Sequence, residues 1–148
     1  MIARLAIALI LALAGSASAA QPPRAGTGAR DAAQLVRTYF TLIHARRFAA
    51  ARQMWGGNVV GSRAFAGAFA RYRDYRGLAG TPGPVEGAAG SSWVEVPVRI
   101  HGLRRSGAPF DARGTIVLRR VNDVPGSTAA QRRWHIERSS IEPRLTSE

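Results

Sequence analysis

Trp93-Val94-Glu95-Val96-Pro97-Val98-Arg99-Ile100-His101 (residues 93–101) is the stretch that decides the fold class. Val94, Val96, Val98 and Ile100 alternate with Trp93, Glu95, Pro97, Arg99 and His101. A period of two marks a strand with one face on a core, here the valine face. Pro97 has no N–H to give to a ladder, which predicts an edge strand or a bulge at that point.

Working outward toward the C-terminus, Ser106-Gly107-Ala108-Pro109 turns the chain, and Phe110 to Val121 reads as a second strand with Gly114, Ile116 and Leu118 on one face. Asn122 to Ala130 is a loop marked by Pro125-Gly126, where Thr128 and Gln131 stand at capping-box spacing and allow a single helical turn. Arg133 to Ile141 is the last strand, with Trp134 and Ile136 inward. From Glu142 the tail is polar and is expected to fray. Toward the N-terminus, Tyr75 to Ala79 and Pro84 to Gly87 read as short strands around the turn Gly80-Thr81-Pro82-Gly83.

Helical spacing dominates before that. Asp31 suits an N-cap with Gln34 three residues on, and Leu35, Val36, Tyr39, Phe40 and Ile43 recur every three or four residues, predicting an amphipathic helix over 32–46. Ala49 to Trp55 reads as a shorter helix stopped by Gly56-Gly57. Ser62 is placed to cap a third, with Phe65, Ala68, Phe69 and Tyr72 on one side. Three helices followed by five strands joined by short connections predict an α+β domain with helices packed on an antiparallel sheet.

The chain has 148 residues, enough for one ordinary domain. With no cysteine, disulfides, thiolate metal sites and cysteine nucleophiles are excluded. Residues 1–19 have the form of a secretory signal peptide: Arg4, an apolar run from Leu5 to Ala14, and the small-residue site Ala17-Ser18-Ala19. Ten helical residues rise only about 15 Å against a hydrocarbon core of roughly 30 Å, so this run is too short to span a bilayer. The expected organisation is a signal peptide at 1–19, a flexible Pro/Gly leader at 20–30, a domain at 31–141 and a polar tail at 142–148. The cleaved protein is expected to be periplasmic or secreted and not integral to a membrane.

The formal net charge is +12, and all 21 basic residues are arginine. Such an excess favours anionic partners. Export argues against nucleic acid and leaves anionic envelope components such as lipid headgroups, cell-wall polymers and acidic sugars. The arginines are scattered as pairs, among them Arg46-Arg47 and Arg104-Arg105, and an Ala-, Gly-, Arg- and Pro-rich composition without lysine is also what a GC-rich genome encodes.

The opening helix Leu35–Ile43, the Arg47–Trp55 turn and helix, the Ser62–Phe69 helix and the strands Trp93–Ile100 and Arg133–Ile136 together resemble the NTF2-like (SnoaL-like, cystatin-like) cone, as found in small exported proteins of Gram-negative bacteria. The resemblance covers about residues 31 to 141. It implies a curved sheet wrapped around the first helix with a conical cavity. It implies no activity, since this fold hosts isomerases, cyclases, dehydratases and pure binding modules.

Each candidate chemistry meets a plainer reading of the same residues. An isomerase of the ketosteroid type needs an acid/base carboxylate beside a phenol in an apolar pocket. Tyr39 lies on the inward face of the first helix and is the one weak catalytic candidate. Asp74 is flanked by Arg73 and Arg76, Glu95 alternates away from the valine face, and Asp111 starts its strand near a turn, so none is an obvious partner. His44, His101 and His135 show no metal-ligand spacing, and neither a metal nor a cofactor is expected. A nucleophile elbow is absent, and a phosphate-binding loop is excluded by the lack of lysine.

Arg138 points inward by alternation from Trp134 and Ile136, which would put a guanidinium at the cavity mouth unless a bulge turns it to solvent. Tyr39, Trp55, Phe69, Trp134 and Arg138 are the candidate ligand-binding residues, although aromatics at these spacings also build ordinary cores. Trp93, Arg99, His101 and Arg113 form a candidate partner surface, including a homodimer through the sheet. The leading expectation is a non-catalytic exported module that binds a small apolar or anionic ligand or a protein partner. The alternatives are a SnoaL-like or ketosteroid-isomerase-like enzyme using Tyr39, and an arginine-rich protein that attaches to anionic envelope polymers.

Overall fold

A computed structural model describes residues 27–146. The expected signal peptide and most of the leader lie outside the described residues. The elements are α1 (Thr27–His44), α2 (Phe48–Arg52), α3 (Ser62–Ala68), β1 (Tyr72–Ala79), β2 (Glu86–Ala88), β3 (Ser91–Arg104), β4 (Pro109–Val121) and β5 (His135–Ser139). The architecture is α+β, with the helices preceding and packing on one antiparallel sheet of order β1-β3-β4-β5, while β2 also pairs with β3.

β3 is the spine of the sheet. Val94, Val96, Val98 and Ile100 are all buried, as their alternation requires. The strand is central, not an edge, and it carries Pro97 without a bulge. β1 pairs with residues 98–104 and β2 with residues 91–93 of the same β3 edge. Pro97 falls in the gap between them, where its carbonyl accepts from Gly80 N at 2.7 Å. The missing N–H therefore faces a stretch with no ladder partner to lose.

α1 begins about a turn earlier than the capping pattern predicts and ends at His44. Asp31 lies inside it, not at its cap. The extra turn forms because Ala29, Ala32 and Ala33 are small enough to bury completely, and Gly28 sits over Trp134 and Arg120. Residues 27–30 of the expected leader thus belong to the domain. Val36, Tyr39, Phe40 and Ile43 continue this buried face across the sheet. Phe40 lies on Gly77 of β1 so closely that a Cβ there would come within 2.2 Å of the ring.

The later helices are shorter than their patterns suggest. α2 stops at Arg52, and Trp55 instead forms a parallel bridge with Ile136, with Gly56 N donating to Ile136 O and Ile136 N to Met54 O. This segment covers the free edge of β5. Gly61, not Ser62, occupies the N-cap of α3, with no side-chain cap. Phe65, Phe69 and Tyr72 are buried, and the rings of Phe48, Phe69, Tyr75, Tyr72 and Phe110 follow one another at centroid distances of 4.9–5.4 Å.

Of two C-terminal expectations one holds and one changes. Thr128 and Gln131 form the reciprocal capping-box bonds, and Arg132 N donates to Thr128 O at 3.1 Å, closing the single turn their spacing allows. The tail does not fray up to Thr146. Ile141 and Leu145 are buried, Tyr75 Oη donates to Glu142 O at 2.6 Å, and Val60 N donates to Leu145 O at 2.8 Å. Two apolar side chains spaced by four residues are enough to dock an otherwise polar segment. No helix among the described residues is long and apolar enough to cross a membrane.

Candidate functional site: the outer face of the sheet

Interior and outer face differ sharply in chemistry. Tyr39, Trp55, Phe69 and Trp134, the expected pocket lining, are buried within the core cluster. Tyr39 packs edge-on to Trp55 at 6.3 Å and against Phe40 at 5.4 Å. Burial holds the Tyr39 phenol well above its ordinary pKa, and the nearby Trp55 indole offsets this only in part, without closing a hydrogen bond. Tyr75 is raised likewise, chiefly by burial. Among the described residues, the buried polar side chains are Ser91 and Ser92.

The three carboxylates weighed as partners for Tyr39 are all elsewhere. Asp74 sits at the rim, paired with His44 Nδ1 at 3.2 Å and Arg76 Nε at 3.1 Å. Glu95 is exposed on β3. Asp111 is exposed and gripped by the Arg99 guanidinium through Nε and Nη2, and this bond holds its carboxyl below the usual carboxylate range. Among the described residues no carboxylate or histidine is buried in the core beside the phenol.

Arg138 is not at the cavity mouth. Leu118 pairs with Ile136 but Val117 pairs with Arg138, so the β4–β5 register shifts by one residue at Glu137. A bulge reverses the alternation beyond it. Arg138 therefore emerges beside Val117 on the outer face and is exposed.

That face collects the expected partner residues Trp93, Arg99, His101 and Arg113, which β3–β4 pairing places together with Asp111, Thr115, Val117 and Arg119. Trp93 is half-buried, with the Arg119 guanidinium 5.7 Å from its ring. Arg119 Nη2 also donates to Ser91 Oγ at 3.1 Å. Trp93, Val117, Glu86, Glu95 and Arg138 line an open cleft of about 400 Å³ between β2 and β5. Further along, Leu78 is 56% exposed beside Pro97 and Arg99. A flat aromatic surface flanked by a free guanidinium and two carboxylates can hold an apolar group against Trp93 and a carboxylate against Arg138.

His101 and His135 do not converge: His101 lies opposite Asp111 and His135 opposite Arg119, eight positions apart on β4, or roughly 26 Å at 3.3 Å per strand residue, while His44 and His101 line one cleft between α1 and β1. Among the described residues no three His, Asp or Glu come together as metal ligands.

Sequence reasoning omitted Arg119 and Glu86. Alternation outward from Ile116 and Leu118 signals Arg119, but Glu86 joins the cleft only through the β2–β3 pairing, which the sequence does not specify.

No protein-family model matches the chain, and no characterised protein matches it in sequence. Solved structures do match in shape. An NTF2-like superfamily protein from Salmonella enterica serovar Typhimurium is 11% identical with a TM-score of 0.54, covering 76% of this chain and 88% of that one. The Kfla4162 protein from Kribbella flavida is 12% identical with a TM-score of 0.56, covering 81% and 90%. Aln2 from a Streptomyces species is 12% identical with a TM-score of 0.51, covering 74% and 86%. At such identities the likeness is one of fold, and the fold is that of the NTF2-like proteins. The particular activities of these proteins do not follow from it.

Proposed function

We propose that the chain is a non-catalytic NTF2-like binding module, exported from the cytoplasm, that docks a protein partner on the outer face of its sheet. The observation that carries this reading is the contrast between the two faces. Among the described residues the interior is occupied by its own aromatic side chains and buries no carboxylate, whereas the outer face presents half-buried Trp93 and exposed Leu78 among arginines and no helix covers it. Tryptophan and arginine around an apolar patch are the residue types that dominate protein interfaces.

Charge argues about the occupant. The excess of arginine over acidic residues repels a second copy and attracts a partner with acidic residues at its rim. Arg113 and Arg138 make no ion pair within the described chain and are available to such a rim.

The test is site-specific photo-crosslinking in the producing cell. A crosslinker at Thr115, on the outer face, is expected to trap one defined protein, and the W93A substitution is expected to abolish the adduct. A crosslinker at Arg63 on α3 is expected to trap nothing in particular. Equal labelling from both positions, a Thr115 adduct insensitive to W93A, or no adduct would overturn the reading. An adduct of the chain with itself would replace the acidic partner by a second copy.

A further inference from the structure

The β3–β4 hairpin end of the molecule, away from the Trp93 cleft, carries a second feature. Arg46, Arg73 and Arg105 converge with the ring of Tyr72 on a cleft of about 270 Å³. Arg71 and Arg104 flank it, their guanidinium carbons 5.4 and 5.8 Å from the same ring. Two backbone irregularities deliver arginines here. Arg46 has φ of 60° at the end of α1, where Arg47 N bonds Leu42 O and Arg46 N bonds Ile43 O. This is a Schellman ending, whose left-handed position normally goes to glycine. Arg73 is the unpaired residue of a β1 bulge, since Tyr72 pairs with Arg104 and Asp74 with Leu103. Bulges re-aim side chains.

The Arg46 guanidinium has a structural task as well, donating through Nη2 to Tyr72 O at 2.7 Å and Arg73 O at 2.8 Å. That clamp holds α1 to the start of β1 and leaves its other N–H groups unassigned. The side chains of Arg73 and Arg105 make no hydrogen bond or ion pair among the described residues, and both are exposed. Among the described residues no carboxylate lines the cleft; Asp74 is paired with His44 and Arg76, and Glu142 with the flanking Arg71 and with Arg144. Three guanidiniums held together without a counter-charge repel one another, and a polyvalent anion relieves that repulsion through charge-assisted, forked hydrogen bonds.

We propose that this cleft is a binding site for a polyvalent phosphate-type oxyanion. It is independent of the outer-face docking surface. Two probes distinguish the source of the oxyanion: pyrophosphate in solution, followed by calorimetry, and vesicles of phosphatidylcholine with 30% phosphatidic acid, whose phosphomonoester is polyvalent, followed by sedimentation. The variant R73Q/R105Q removes two cleft cations that support no other contact, so its thermal unfolding is expected to match that of the parent. The control R63Q/R133Q removes the same charge from exposed positions elsewhere. Binding of either probe should weaken at least tenfold in R73Q/R105Q and less than twofold in the control, and the probe that responds identifies the source. Equal weakening in both variants would mean diffuse attraction by the net charge, and failure of both probes to bind the parent would mean no site. Either result would overturn the proposal.

Discussion

Replacing Gly77 by alanine tests how the first helix is seated on the sheet. In an open strand this change is favourable, because glycine carries a backbone entropy penalty of about 0.5–1 kcal/mol relative to alanine. Here the added methyl would lie 2.2 Å from two atoms of the Phe40 ring and 2.4 Å from a third. Ordinary carbon contacts begin near 3.5 Å, so the overlap exceeds one ångström. Phe40 is only 3% exposed and is wedged against Tyr39, so its ring has nowhere to swing. One overlapping atom is Cγ, close to the helix backbone, so α1 itself must shift. Overpacking of this kind costs about 1–3 kcal/mol, and the depth of the overlap points to the upper end.

Urea unfolding followed by far-ultraviolet circular dichroism should therefore show G77A destabilised by about 2–3 kcal/mol, with the midpoint lowered and the slope unchanged. F40L opens room at the ring, and the double mutant should lose at least about 1 kcal/mol less than the sum of the two single changes. A stabilised G77A, or strict additivity, would refute this seating of α1.

Leu145 anchors the C-terminal segment, so L145A should cost about 2–3 kcal/mol in the same assay, where a frayed tail would show no effect. Arg138 is exposed beyond the β5 bulge, so R138A should leave stability within about 0.5 kcal/mol of the parent, whereas an inward guanidinium would move it further. The Asp111 carboxyl should titrate below its ordinary value of 3.8 by NMR and rise toward it in R99Q; because its folded pKa is the lower one, the pair supports the fold above the unfolded pKa and ceases to as pH falls through the folded value. For Tyr39 the sign is opposite. A phenol raised by burial favours the fold below its unfolded pKa near 10 and progressively less above it, so the parent should lose stability in alkali and Y39F should lose less.

The fold was legible wherever burial alternates cleanly. The Val94–Ile100 face, the Ile116 and Leu118 pair and the Val36–Ile43 stripe needed only spacing. Where one residue changed the register, spacing misled. The bulge at Glu137 turned Arg138 outward, and nothing local in His135–Ser139 announces an extra residue there. Pro97 was read as an edge marker because its tolerance depends on a gap between β1 and β2, a property of distant segments. The first turn of α1 was hidden by Thr-Gly-Ala-Arg, a weak helical sequence held by the burial of Ala29 and by the close approach of Gly28 to Arg120, Val85 and Trp134. The outer-face residues Trp93, Arg99, His101 and Arg113 were readable from alternation alone. The arginine cleft was not, because αL Arg46, the bulged Arg73 and the hairpin Arg105 meet only in three dimensions.

The most direct measurement compares two substitutions in binding to the protein trapped at Thr115. If the outer face is the working surface, W93A should weaken that complex by about 2 kcal/mol or more, roughly thirtyfold in Kd, while Y39F in the packed interior should leave Kd within about twofold. Weakening by Y39F with W93A silent would instead make the hollow of the cone the binding site and contradict the account.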